Sequence, residues 1–138
     1  MLEINFSEFN WLAIVVSIVA GQIISTIWFV VLFGDPWAKE YGVDTKQEHA
    51  KQIPPWTYAI GLLCTTLLVL SIASLQQVMG VTTVGSAISL GLFIAVGLAV
   101  ATSLPGYAFL KRYNAFLIAI GSQVAMILGI SIILAIWR

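Results

Sequence analysis

Two glutamines, Gln22 and Gln123, each stand near the middle of a long apolar run, with Ser25 one helical turn beyond the first. A carboxamide placed in hydrocarbon needs a hydrogen-bond partner, because an unpaired amide is costly there. Gln22, Ser25 and Gln123 therefore form a candidate intramembrane polar site. Two chemistries fit it: glue between helices or subunits, and the polar lining of a path for a small solute. The single histidine, His49, lies beside Glu48 in the most charged stretch of the chain. Histidine changes charge in the physiological range, so His49 could sense pH, whereas a metal site would need more ligands than this stretch offers. Asp35 precedes Pro36 as in a helix start, where the carboxylate caps free amides; proton or cation uptake is its alternative role. The single cysteine, Cys64, excludes an intramolecular disulfide and, inside an apolar run, reads as a small buried thiol. No Ser-His-Asp set, phosphate-cradling glycine loop or metal-ligand spacing is present, so no catalytic residue, metal ligand or cofactor is assigned, and the chain does not read as an enzyme.

The elements that must position these residues follow from composition. Hydrophobic residues make up 60% of the 138 and charged residues 9%, against roughly 25% in ordinary soluble domains. Such a chain cannot clothe itself in polar groups, and it reads as one transmembrane domain over 1–138. Net charge is zero and no basic stripe occurs, which argues against a nucleic-acid partner. A membrane helix needs about 20 apolar residues to cross about 30 Å of hydrocarbon. Four runs qualify, at 10–33, 55–77, 84–104 and 114–137, and none has a charged residue or histidine in its interior. Backbone amides in lipid must be satisfied within the segment, so the predicted fold is all-α, an integral membrane four-helix bundle. The first run follows Glu3 and Glu8 rather than a basic stretch and exceeds a signal core in length, so it reads as a permanent span.

The loop over 34–54 holds most of the charge. Pro36–Tyr41 is expected to form a short interfacial helix ended by Gly42, and Thr45 to Glu48 fits a capping box opening a second. Pro54-Pro55 then starts the second span. In the 78–83 turn, Gly80 can end one helix and Thr82 or Thr83 start the next. Lys39, Lys46, Lys51, Lys111 and Arg112 flank the spans on one side, and only Arg138 on the other. The positive-inside rule then places the two basic loops in the cytoplasm and both termini outside. On that orientation Trp28, Trp37, Tyr41, Trp56, Tyr107 and Tyr113 fall near the cytoplasmic boundary as interfacial anchors, and Lys111 and Arg112 face anionic lipid headgroups.

Helices in lipid associate over small residues and side-chain hydrogen bonds. The first span aligns Asn10, Ser17, Gly21, Ser25 and Trp28, and the second Thr57, Gly61, Cys64 and Ser71. The third aligns Gly91, Ala95 and Thr102 with Gly85 and Ser89 nearby, and the fourth Asn114, Gly121, Ala125 and Gly129. Ser17, Gly21, Gly121, Ala125 and Gly129 are the expected packing positions. The spacing in the first span repeats in the fourth, and Pro36 to Tyr41 echoes Pro105 to Tyr113, as a parallel repeat would.

Asn10-Trp-Leu-Ala-Ile-Val-Val, then Trp28-Phe29, Leu32-Phe33-Gly34 and Trp37, together with the closing stretch from Ala101 to Trp137-Arg138, resemble an uncharacterised membrane family, domain of unknown function 1761. The resemblance covers nearly the whole chain. That family usually shows Trp-Tyr where this chain has Trp28-Phe29, and often an acid where it has Phe109-Leu110. The resemblance implies a small four-span protein of the prokaryotic inner membrane with no assigned activity. The expected function is a non-enzymatic membrane protein, embedded in the bilayer, that homo-oligomerises through small-residue helix faces. The alternative is an oligomeric channel or transporter for a small neutral or weakly charged solute, working near Gln22 and Gln123.

Overall fold

Every apolar run folds as a helix long enough to cross a bilayer. The computed structural model describes residues 3–137. The long helices are α1 (Trp11–Leu32), α4 (Trp56–Val78), α5 (Val84–Phe109) and α6 (Tyr113–Ile136). Two short helices, α2 (Gly34–Lys39) and α3 (Lys46–Gln52), fill the first loop, and a single 3-10 turn (Phe6–Glu8) precedes α1. Val15, Val19, Leu63, Leu67, Phe93, Val96 and Leu117 lie exposed along the long helices. A continuous apolar belt of this kind is stable only against lipid, so the protein is a multi-pass membrane protein.

Three spans match their expected limits to within one residue; α5 does not. It continues to Phe109, through Pro105, where a connection was expected. Proline is tolerated in membrane helices when nearby carbonyls find other donors. The turns before it are irregular: Phe93–Val100 widens into a π-helix, and the Thr102 hydroxyl donates to Leu98 O at 2.6 Å. The end of α1, Ile27–Leu32, is also a π-helix. The Pro36–Tyr41 helix is shifted to Gly34–Lys39, and Asp35 does not cap it.

The helix ends show local chemistry. Asn10 Oδ1 accepts from Ala13 N at 3.1 Å, and Thr83 and Ser86 form a reciprocal capping box. After α4, Gly80 N donates to Gln77 O and Val81 N to Gln76 O, with Gly80 at φ +61°. After α5 the same pair of bonds forms around Lys111, at φ 54°, a conformation that usually belongs to glycine.

The fourth long helix, α6, is the hub. Its Ile127, Ile130 and Leu134 join Ala13 and Ile14 of α1, Val69 and Ile72 of α4, and Leu90, Ile94 and Ala95 of α5 in one core. The α1, α4 and α6 helices pack as a triangle, and α5 lies chiefly against α6. Glycines set the close approaches. A Cβ on Gly21 would lie 2.8 Å from Thr65 Cγ2, one on Gly91 3.1 Å from Ser131 Oγ, and one on Gly129 2.9 Å from Ile24 Cδ1.

Candidate functional site

The expected intramembrane site is divided among three surroundings. Gln22, half-buried on α1, donates through Nε2 to Thr65 Oγ1 of α4 at 2.7 Å, and that hydroxyl donates to Gly61 O at 3.0 Å. Ser25 Oγ lies 3.2 Å from Met126 Sδ of α6. Gln123 does not approach Gln22; it is exposed on the outer surface of α6. A second glutamine that bonds across helices is Gln76, 3% exposed, whose Nε2 donates to Ser131 O at 2.8 Å. The Gln76-Gln77 pair near the end of α4 was the available signal, but the pattern of small residues drew the seam along another face.

That face is the main correction to the packing positions. Thr57, Gly61, Cys64 and Ser71 are all exposed, and a Cβ on Gly61 would meet nothing within 4 Å. The inner face of α4 is Thr65, Val69, Ile72 and Gln76, larger residues that interlock with α1 and α6. Cys64 is thus an exposed thiol rather than a buried one. On α1, Ser17 and Gly21 are buried; on α6, Gly121, Ala125 and Gly129 are half-buried. In α5, Gly91 and Ala95 are buried, whereas Gly85, Ser89 and Thr102 are exposed.

The anchors separate as well. Trp37 is half-buried, Tyr41, Trp56 and Tyr113 are exposed, and Tyr107 is half-buried against Phe116 with ring centroids 5.7 Å apart. Trp28 is half-buried and packs inward. It reaches across to α6, donating Nε1–H to Ile118 O at 2.8 Å, with its ring seated against Gly121. A glycine leaves the hole, and the indole both fills it and satisfies its donor. The remaining rings run in series along one end: Phe29 on Trp37 (5.0 Å), Trp37 on Tyr41 (5.3 Å), Tyr41 stacked on His49 (4.5 Å).

This end is also where the two basic loops meet. Arg112 donates to Glu40 O and lies 3.4 Å from Glu40 Oε2, so its guanidinium makes a loop-to-loop contact. Lys111 stays exposed. Asp35 Oδ1 accepts from the first amide of α3, Lys46 N, at 2.9 Å, so it caps the second loop helix instead of the first. Thr45 Oγ1 accepts from Glu48 N at 3.3 Å, the hydroxyl arm of the expected capping box. Lys46 Nζ then reaches back to Val30 O at 2.8 Å, at the end of α1. A cation there meets the negative end of the helix dipole. Under α3 lies a half-open cavity of about 330 Å³, lined in part by Lys46 and His49.

The opposite end holds a smaller cleft of about 200 Å³, lined by Glu8, Asn10, Gln76, Gln77 and Trp137. Asn5 and Gln77 clasp each other there, Asn5 N to Gln77 Oε1 and Gln77 Nε2 to Asn5 O, both at 3.0 Å. The start of the described chain and the end of α6 thus share one end of the bundle and the basic loops the other. Arg138 lies outside the described residues.

Four membrane-length helices with two short helices in the first loop define a small polytopic membrane protein. The family model "Protein of unknown function (DUF1761)" matches residues 12–135, and the chain belongs to that family. Neither a curated protein nor a solved structure matches the chain.

Proposed function

We propose that this chain is a non-enzymatic protein of the prokaryotic inner membrane that works as a homo-oligomer, with its basic loops in the cytoplasm and its termini outside. The outer face of α4 is the proposed contact. What supports this is the outward position of Thr57, Gly61, Cys64 and Ser71. Each of the other three spans buries part of its small-residue set, whereas α4 leaves its whole expected set outside, and bare helix faces of this kind let backbones approach closely in lipid. Cys64 is a native probe of the contact. Mild oxidation of membranes should give a Cys64-linked dimer that Gly61→Leu removes. A purely monomeric mass, measured on protein released from lipid nanodiscs, would refute the assembly.

A second reading, a channel or transporter for a small neutral or weakly charged solute at a subunit contact, is favoured by Gln123, whose carboxamide is exposed midway along α6. Gln123→Leu should then abolish solute flux into liposomes while leaving assembly intact; liposomes without flux exclude this reading.

A further inference from the structure

We propose that the cavity beneath α3 is a binding site for an acidic lipid, an amphiphile whose carboxylate or phosphate head meets Lys46 while its chain leaves into the bilayer. The inference stands apart from the oligomeric state. The cavity of about 330 Å³ sits at the lower end of the range for ligand pockets, about 300–1,000 Å³. Its walls are largely apolar, with Phe29, Trp37, Ile53 and Tyr58 prominent. None of the described residues lining it is a carboxylate, and Lys46 carries its one fixed charge. An ammonium with a carbonyl but no carboxylate partner, set among aromatic walls at a membrane boundary, selects an anion with an apolar body.

Lys46 is positioned from three directions. Its backbone N–H is held by Asp35 Oδ1 at 2.9 Å. Its stem crosses Gly34, where a Cβ would lie 2.7 Å from Lys46 Cδ, so a side chain at 34 would displace it. Its Nζ donates to Val30 O at 2.8 Å. That bond takes one of the ammonium's three donors and leaves two. His49, on the next turn of α3, also lines the cavity, and its Nδ1 is buried without a hydrogen-bond partner. That nitrogen is closed to solvent, so His49 serves the site as a wall rather than as a ligand to the head. The neighbouring Tyr41 ring stacks on His49 at 4.5 Å and holds it in place. Because the walls are apolar and the site adjoins the end of α1, the ligand source is the bilayer rather than a free oxyanion.

The test uses the full chain in neutral detergent, titrated with nitroxide-labelled stearate and, separately, with the labelled alcohol of equal length, reading the immobilised spectral component. Stearate should saturate, binding about tenfold more tightly than the alcohol, as expected for a charge-assisted hydrogen bond. Lys46→Met should bring stearate to the alcohol's affinity. Ala50→Trp, which fills the cavity and keeps the ammonium, should abolish the immobilised component; it decides the matter if Lys46→Met fails to fold. Equal affinity for acid and alcohol overturns the proposal, as does binding that survives Ala50→Trp. Displacement of the label by inorganic phosphate alone would also overturn it, because the site would then take a free oxyanion.

Discussion

Gly121 and Gly61 are the same residue type at similar depth, yet their surroundings are opposite. A Cβ on Gly121 would strike the Trp28 ring, whereas one on Gly61 would meet no atom within 4 Å. The indole cannot easily yield, since its Nε1 is tied to Ile118 O at 2.8 Å. Overpacking of this kind costs about 1–3 kcal/mol. Gly121→Ala should therefore destabilise the folded chain by that amount, read as a shift in unfolding midpoint in mixed micelles. Gly61→Ala should leave the monomer's midpoint unchanged or raise it slightly, because alanine is the better helix former. Equal effects at the two positions would mean that Trp28 does not occupy the Gly121 notch. Two buried hydroxyls have no such fit: Ser17 Oγ and Ser131 Oγ have no hydrogen-bond partner, and the close approach of α5 over Ser131 rests on the small size of Gly91.

Among the elements, α3 is the least held by its own sequence. It has seven residues, none of them buried. Helices that short do not persist alone in water, so its order comes from what it is tied to. The ties are Asp35 at its first amide and Lys46 on α1. Asp35→Ala removes a cap worth about 1 kcal/mol and should speed amide exchange across Lys46–Gln52 while leaving α4 protected. Unchanged exchange in α3 would show that Asp35 is dispensable. These ties also mark what could be read from the chain alone. Span lengths were legible because about twenty uncharged residues have one stable form in lipid. Helix starts at Thr45 and Thr83 were legible because capping acts over three residues. The inner face of α4 was not: small residues lie on one side of that helix and Thr65, Val69, Ile72 and Gln76 on the other, and only the partner helices decide which turns inward. The candidate site was hidden for a similar reason. Asp35 and Lys46 are eleven residues apart in a loop without periodicity, and the Gly34 that admits the lysine stem has no signature beyond being a glycine. Trp28 was legible on the packing face of α1, in line with Ser17 and Gly21, but its seat was not, because nothing within α1 discloses a notch on α6.

At the scale of the molecule, the two basic loops are held at one end by Arg112 and Glu40, and the N-terminal segment is clasped to the far end of α4 by Asn5 and Gln77. The ion pair itself is partly exposed, so it contributes at most about 1 kcal/mol. Its value is diagnostic: it requires the loop over 40–53 and the turn at 110–112 to lie on the same side of the bilayer. Which side is a separate matter of charge. Lys39, Lys46, Lys51, Lys111 and Arg112 all lie at the loop end, and lysine and arginine, not net charge, set orientation. In a Cys64→Ser background, Glu48→Cys and Lys111→Cys should be shielded from a membrane-impermeant maleimide in intact cells and react after permeabilisation. Ser7→Cys should react in intact cells. Reaction of Glu48→Cys and Lys111→Cys from opposite sides would break the four-span topology. Shared reactivity with the sides reversed would keep the fold and invert its orientation. Because so few charges decide the matter, replacing Lys111 and Arg112 by glutamine while introducing Glu3→Lys and Ser7→Lys should shift part of the population to the reversed state, seen as Glu48→Cys becoming labelled in intact cells.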